Sequence, residues 1–322
     1  MSYKILILTD PSRHSATNSL YGLAKTLRQH PKVAAVHVAS RALAQNAPFF
    51  YQMSSQQLQL AEVKADFAFQ EDQSCFAPSF SGQLSDYDFI FLRLPRPLAD
   101  GFLEWLGQIF PEERIINRPS GILQTSSKAF LLEIAEHCPP MARIRSLAEL
   151  EAFKARFPIV LKPLLNYGGQ GVLRILDDYV WEGNNKQPYT EWASQQKELD
   201  YLGMQYLERV AEGDKRIVVC NGQVITAAIR FPAKDSWMCN VAQGGHAEAS
   251  QVSPEEEAMV AALHPILQEK GILLYGLDTL MGTDGKRLLS ELNTLSIGGI
   301  APAGEAALQA SIEGLIHYFD SI

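Results

Sequence analysis

Three oxygen-bearing side chains near the C-terminus, Asp278, Glu291 and Asn293, come together if the chain between them folds back on itself. The apolar-rich runs 273–281 and 286–293 flank Asp284-Gly285, a strong short-range hairpin signal. With Asp284-Gly285 as a two-residue turn, Asp278 lies directly across from Glu291. Asn293, two positions further on, then points to the same face. Like charges opposed on a sheet destabilise it, so the pair calls for a cation. Mg²⁺ suits it, because that ion takes oxygen ligands, usually one or two carboxylates completed by phosphates and water. The competing reading is a solvated hairpin face whose charges align by chance, and a three-residue loop would break the register.

Other residues in the chain are of the types that can hold phosphate. Lys162 closes the apolar stretch 158–162, and Gly168, Gly169 and Gly171 follow shortly after. Glycine lets backbone N–H groups approach phosphate oxygens closely, and a nearby ammonium balances their charge. This is not a Walker pattern, since Gly-Lys-Ser/Thr is missing and a strand, not a helix, follows. Lys128 sits near the start of a helical stretch. Lys215 and Arg216 enter a second hairpin, turned at Asn221-Gly222, and Arg230 leaves it. Taken singly, these are a hairpin loop and surface cations. Their order carries the weight: two lysines and a glycine turn, then basic residues, then an acidic face.

The elements that must position these groups read as an α/β chain, mixed with α+β features. Residues 4–9 form a continuous apolar run ending at Asp10-Pro11, which suits a strand buried on both faces. Leu20, Leu23, Ala24 and Leu27 recur at helical spacing before a strand over 33–39. A strand over 88–92, a helix over 102–110 and a strand over 114–117 continue the rhythm, predicting a small parallel sheet within a domain spanning 1–118. A second unit, 119–200, holds helices over 127–137 and from Ser146, where Glu149 completes a capping-box pattern, with strands over 158–162 and 172–176. The third, 201–322, carries both hairpins and a helix opened by Ser253-Pro254-Glu255-Glu256. Residues 44–85 are rich in Gln, Ser and Phe without clear periodicity and yield no element.

Composition narrows the function. The chain has 322 residues, 47% hydrophobic and 20% charged, an ordinary globular balance that excludes disorder and coiled coil. Its formal charge of −8 argues against non-specific binding to nucleic acid or anionic lipid. No apolar run approaches the roughly 18 residues that span a bilayer. The N-terminus enters a strand pattern without a signal-peptide core, and the four cysteines (Cys75, Cys138, Cys220, Cys239) show no metal-type spacing. A cytoplasmic enzyme of small molecules, without nucleic-acid or membrane partners, is the expectation. The absence of G-x-G-x-x-G after the first strand counts against a dinucleotide-dependent oxidoreductase.

The order of parts resembles the ATP-grasp superfamily and, within it, the bacterial glutathione synthetases. Ile159-Val160-Leu161-Lys162-Pro163 with Gly168-Gly169, then Gly213-Asp214-Lys215-Arg216, then Gly276-Leu277-Asp278 with Glu291-Leu292-Asn293 carry the likeness, and the strand end at Asp10-Pro11 extends it to nearly the whole chain. The resemblance implies an ATP-grasp fold behind an N-terminal small parallel-sheet domain, and a ligase joining a carboxylate to an amine through an acyl phosphate. By the same resemblance, Lys128, Lys162 and Lys215 would contact ATP and the loop around Gly168 and Gly169 would close over it. Gln205, Tyr206, Leu207 and Glu208 would form the hinge that reads adenine. Asp278, Glu291 and Asn293 would hold two Mg²⁺, with Mn²⁺ as a substitute, and Arg216 and Arg230 would face the transferred phosphate. Asp10, Arg93, Asn240, Gly244 and Gly245 would bind the substrates, γ-glutamylcysteine and glycine in that family, and a homo-oligomer would be usual.

The sequence departs from the family around its substrates. The arginine that precedes Asn240 in the family is missing, His246 replaces a basic residue, and Leu94 stands where a lysine usually follows Arg93. Beyond Asn293 the chain reads Thr294-Leu295-Ser296-Ile297-Gly298-Gly299 instead of a Ser-Pro-Thr type segment. Two other functions compete: ligation of glutamate to peptide or protein ends, and a non-catalytic nucleotide-binding module. The complete set of Asp278, Glu291 and Asn293 counts against the second of these.

Overall fold

The computed structural model describes residues 2–166, 168–233, 237, 239 and 245–322. Three sheets follow one another along the chain. The first contains β1 (Tyr3–Thr9), β2 (Val33–Ser40), β3 (Gln57–Glu62), β4 (Phe80–Gln83), β5 (Phe89–Arg93) and β6 (Ile115–Ile116), in the order β4-β3-β2-β1-β5-β6. Ile5, Leu6, Ile7 and Leu8 of β1 are all buried, as a central strand covered on both faces requires. Helix α1 (Ser19–Gln29) is capped by the Asn18 side chain, which accepts from the Leu20 amide. The sheet is not wholly parallel: β2, β1, β5 and β6 run together, while β3 and β4 add antiparallel. Those two outer strands, β4 at the edge and β3 next to it, come from the stretch without periodicity. Buried Asn46 organises it, donating to the carbonyls of Ser40 and Gln59 and accepting from the Gln59 amide. Phe49 and Phe50, in the single turn α2 (Ala47–Phe50), pack on Phe102 of α3 (Phe102–Ile109).

After α4 (Pro119–Thr125) the expected helix over 127–137 is a 3₁₀ run, Lys128–His137, broken by non-helical backbone at Ile134. The second sheet holds β7 (Met141–Ile144), β8 (Ile159–Pro163), β9 (Leu173–Leu176), β10 (Tyr179–Glu182), β11 (Asn185–Pro188) and β12 (Tyr201–Gln205), in the order β11-β10-β9-β8-β12-β7. Its β12 pairs with both β7 and β8, so a boundary after residue 200 cuts through this sheet. Helices α5 (Leu147–Lys154) and α6 (Tyr189–Gln195) supply Leu150, Phe153 and Trp192 to its core. Both bonds of the Ser146/Glu149 capping box are present.

The third sheet is antiparallel: β13 (Asp214–Cys220), β14 (Gln223–Phe231), β15 (His246–Ala249), β16 (Leu274–Met281) and β17 (Arg287–Asn293), in the order β15-β14-β13-β16-β17. Asn221 and Gly222 both take positive φ, 47° and 77°, as a two-residue turn of the mirror-image type needs. The second hairpin is built differently from the two-residue turn read in the sequence. Met281 pairs with Arg287, and the Gly282 amide donates to the Lys286 carbonyl at 2.7 Å, leaving a three-residue loop with Gly285 at φ 82°. That loop shifts the register by one, and a bulge at Ser290 shifts it back. Asp278 therefore still faces Glu291, and Gly276 faces Asn293. Helix α7 (Pro254–Glu269) starts at the Ser253/Glu256 capping box. Helix α8 (Glu305–Phe319) shares a core with β1 and α1, joining Ile312 and Leu315 to Ile5, Leu20 and Leu23.

Candidate active site

The second and third sheets face each other across a cavity of about 200 Å³. From the second sheet come Val160 and Lys162 of β8 and the glycines Gly168 and Gly169; from the connection out of β12 come Gln205, Tyr206 and Leu207. The opposite wall is polar. Arg216 of β13 lies directly across from Asp278 of β16, and Arg230 of β14 directly across from Asp214 of β13. Period-two alternation puts Asp214 and Arg216 on one face. Arg216 donates to both Asp278 oxygens, from Nε and, at 2.7 Å, from Nη2. Arg230 Nη2 donates to Asp214 Oδ2 at 2.6 Å and lies 3.1 Å from Asp278 Oδ1.

Those pairings set the charges. Burial opposes ionisation of Asp278, but the two guanidiniums hold its carboxyl well below the usual range. Asp214 goes the other way: burial, then the Asp278 charge, push it up to about 7. Its Oδ1 is buried without a partner among the described residues. Lys162 is lowered by burial, partly restored by Glu291, and donates to the Ser290 carbonyl at 2.8 Å. Lys128 is buried beside this wall, its Nζ 3.5 Å from Glu291 Oε1 and donating to the Asn166 carbonyl at the start of the glycine loop. Asn293 Nδ2 donates to Asp278 Oδ2 at 3.3 Å.

The donor set fits a divalent ion that shares its ligands with phosphate. Among the described residues no three His, Cys, Asp or Glu side chains gather into a metal cage. Asp278, Glu291 and Asn293 nevertheless line one cavity, and two carboxylates with an amide are the hard oxygen ligands that Mg²⁺ combines with phosphates and water; Asp278, whose oxygens accept from Arg216, Arg230 and Asn293, would exchange part of that pairing for the ion. Lys128, Lys162, Arg216 and Arg230 stand against the carboxylates of Asp214, Asp278 and Glu291, an excess too small to neutralise a triphosphate without added cations.

Several expected residues lie elsewhere. Lys215, expected on the nucleotide, is turned away by the alternation that brings Arg216 in. Its Nζ donates to Glu256 Oε2 at 2.6 Å and to the Gln251 carbonyl at 2.8 Å. Glu208 is exposed at the start of a 3₁₀ turn and does not line the cavity. Gly245 precedes β15, also outside the lining, and Asn240 and Gly244 fall outside the described residues. Asp214, Trp237 and Cys239 line the cavity without having been singled out. For Asp214 the signal was available, two positions before Arg216.

Asp10 and Arg93 meet at a second place, the carboxyl ends of β1 and β5, where the strand order reverses and α/β sheets bind ligands. Asp10 is engaged as a clamp. Its Oδ2 accepts from Arg41 Nε and Nη2 at 2.8 and 2.6 Å, and its Oδ1 accepts from the Ser12 amide. Burial is outweighed by those bonds, which lower its pKa. Arg41 also donates to the Pro95 and Pro97 carbonyls, tying the ends of both strands together. Arg93 donates from Nη2 to the Ile297 carbonyl at 2.7 Å, while Nε and Nη1 are buried without partners among the described residues. A guanidinium 4% exposed with two unpartnered nitrogens has hydrogen-bonding capacity left for an anion.

Residues 127–306 match the family described as "Prokaryotic glutathione synthetase, ATP-grasp domain". The chain is 32% identical over 221 residues to the glutathione synthetase of Rhodopseudomonas palustris, covering 67% of this chain and 68% of that protein. It is 31% identical over 222 residues to that of Parasynechococcus marenigrum, covering 67% and 69%. Among solved structures, the D-cycloserine synthetase DcsG aligns with a TM-score of 0.69 at 14% identity over 98% of this chain and 99% of that one. A D-alanine–D-alanine ligase from Bacillus anthracis complexed with ATP aligns with a TM-score of 0.56 at 13% identity, covering 99% and 97%. At such identities those two likenesses establish the ATP-grasp fold. The sequence relatives go further: this chain is an ATP-grasp ligase of the prokaryotic glutathione synthetase family.

Proposed function

We propose that the protein joins γ-glutamylcysteine to glycine at the expense of ATP, with the facing pair Asp278 and Glu291 on the phosphate side of the cavity as the observation that carries the reading. The donor carboxylate oxygen attacks the γ-phosphorus, the bond to the bridging oxygen breaks, and ADP departs. The amine nitrogen then attacks the acyl carbon, inorganic phosphate leaves, and the nitrogen gives up a proton as the amide forms. Phosphoryl transfer demands positioning and charge neutralisation more than covalent help.

The chain's own residues supply both. Gln205, Tyr206 and Leu207 present the hinge to adenine, and Gly168 and Gly169 bring backbone amides over the phosphates. Lys128 and Lys162 neutralise the phosphates, and Arg216 and Arg230 face the group in transfer. Asp278, Glu291 and Asn293 hold Mg²⁺, two ions in this reading with Mn²⁺ as a substitute, which when bound withdraw charge from the phosphate oxygens. Arg93 binds a carboxylate of the donor with its unpartnered Nε and Nη1, at strand ends that Arg41 and Asp10 tie together. The glycine loop excludes water, which would hydrolyse an acyl phosphate.

The test is direct. Purified protein with Mg²⁺, ATP, γ-glutamylcysteine and glycine releases phosphate and forms glutathione in equal amounts, read by phosphate assay and mass spectrometry. Phosphate release with another carboxylate–amine pair, and none with this one, retains the ligase chemistry and rejects these substrates.

A further inference from the structure

Asn117 lies outside the cavity, yet its side chain is attached to both strands that carry the carboxylate face. It is 4% exposed. Its Nδ2 donates to the Leu274 carbonyl at 2.6 Å and to the Thr294 carbonyl at 2.7 Å. Its Oδ1 accepts from the amides of Leu273 and Leu274 at 2.8 and 2.9 Å. Two donors and two acceptor sites are all that an amide side chain has, and every one is used.

The placement of those bonds matters. Leu274 opens β16, and Thr294 directly follows Asn293. The last backbone pair between β16 and β17 is Gly276 with Asn293. Beyond it the strands would part, and the Asn117 amide bridges them instead, holding carbonyls 274 and 294 on one NH₂ group. A second tether supports the same residue, for the hydroxyls of Thr125 and Thr294 lie 3.0 Å apart. From Thr294 the chain runs straight to Arg93: Ser296 Oγ donates to the Arg93 carbonyl, and the Ile297 carbonyl accepts from Arg93 Nη2.

We propose that Asn117 is a positioning residue: by closing the open end of the β16–β17 ladder it fixes Asn293 on the metal-binding face and sets the span from that face to Arg93. The proposal rests on Asn293 being a metal-side ligand. Bonds that orient a ligand from behind are worth about 10- to 100-fold in metal affinity. Four hydrogen bonds between buried groups also stabilise the fold, so the test must separate the two roles.

The experiment measures AMPPNP binding by calorimetry on the full chain, in EDTA and across a Mg²⁺ titration, with thermal midpoints recorded alongside. Asn117→Asp keeps the shape and the acceptor but sets a carboxylate oxygen against two carbonyls. It is expected to leave AMPPNP affinity in EDTA nearly unchanged and to raise the Mg²⁺ concentration for half-maximal tightening by about tenfold or more. Thr125→Val, which removes the second tether together with the local bond from the Thr125 hydroxyl to the Gly121 carbonyl and leaves the Asn117 bonds in place, shifts the same midpoint in the same direction by a smaller factor. A folded Asn117→Asp with a lowered thermal midpoint and an unchanged Mg²⁺ dependence reduces Asn117 to a structural role and overturns the proposal. Were Asn117→Asp unable to fold, an unchanged Mg²⁺ dependence in Thr125→Val overturns it. Absence of Mg²⁺-dependent tightening in the wild-type protein removes the metal assignment itself and the proposal with it.

Discussion

Lys162 Nζ donates to the carbonyl oxygen of Ser290 at 2.8 Å, linking the strand that leads into the glycine loop to the bulge in the carboxylate hairpin. A bulge leaves one residue out of the ladder, and its carbonyl is thereby free for a side chain. The contact fixes the ammonium beside Glu291. Lys162→Met is expected to lower ATP-dependent phosphate release about 100-fold, the usual cost of losing one charge-stabilising donor. Deleting Ser290 gives an independent check. It removes the acceptor but preserves the alternation that sends Leu289 and Leu292 to the core and Glu291 and Asn293 to the cavity. Retained Mg²⁺-dependent nucleotide binding with a reduced rate is the expected result.

Behind the cavity, Glu256 is fully buried and accepts from Lys215 Nζ at 2.6 Å and from Thr279 Oγ1 at 2.8 Å. Lys215 neighbours Arg216, and Thr279 neighbours Asp278, so the pair pins β13 to β16 from the back of the sheet. Glu256→Ala strands a buried ammonium and is expected to cost about 3–5 kcal/mol. Replacing both partners with apolar residues, Lys215→Met with Glu256→Leu, recovers most of that loss. Urea denaturation of the three variants reads the difference, and equal loss in single and double variants contradicts the pairing.

The period-two pattern and the turn dipeptides made much of the third sheet legible. Asn221-Gly222 forms its two-residue turn, and Asp278 faces Glu291. The second result came through compensation, since the loop before Lys286 is one residue longer than read and the Ser290 bulge cancels the slip. Nothing in the dipeptide Asp284-Gly285 separates a two-residue from a three-residue loop, and a bulge has no local signature. Lys215 was misplaced although the same alternation that selects Arg216 excludes it; motif likeness outweighed strand geometry there. Asn117 and Arg41 were invisible because their partners are backbone groups and a carboxylate brought in from distant segments. Within residues 57–83, β3 is too short at six residues to stand out although Leu58, Leu60 and Ala61 are buried, and the edge strand β4 buries none of its residues.

His14, close enough to Arg93 and Asp10 to feel both charges, is held neutral. Burial and then the Arg93 charge pull its pKa down to about 4, with Asp10 opposing, and its Nδ1 lies 3.1 Å from the Tyr21 hydroxyl. In the unfolded chain the ring takes its proton near 6.5. The unfolded state therefore binds more protons between these values, and the His14 contribution is present above pH 6.5 and lost as pH falls toward 4. Thermal midpoints measured across that window should fall more steeply for wild type than for His14→Gln. Parallel curves would show that the ring is not held neutral.

Glu291 and Asp278 oppose each other on adjacent strands but do different work, which two isosteric substitutions separate. Glu291 has 24% of its side chain exposed and pairs with Lys128 at 3.5 Å, a partly solvated contact worth about 1 kcal/mol or less. Glu291→Gln should leave the urea midpoint close to wild type while cutting phosphate release by about 100-fold or more, because in the proposed function the lost charge is one that would hold the metal. Asp278 is 4% exposed and accepts from Arg216 on both oxygens, with Arg230 close to one. Asp278→Asn takes the carboxylate away from Arg216, while Arg230 keeps Asp214, and is expected to cost about 3–5 kcal/mol in addition to activity. Turnover retained in Glu291→Gln would place the metal elsewhere. A large stability loss in Glu291→Gln would instead show that its bond to Lys128 carries the fold, leaving the nucleotide to find its cation among other ligands.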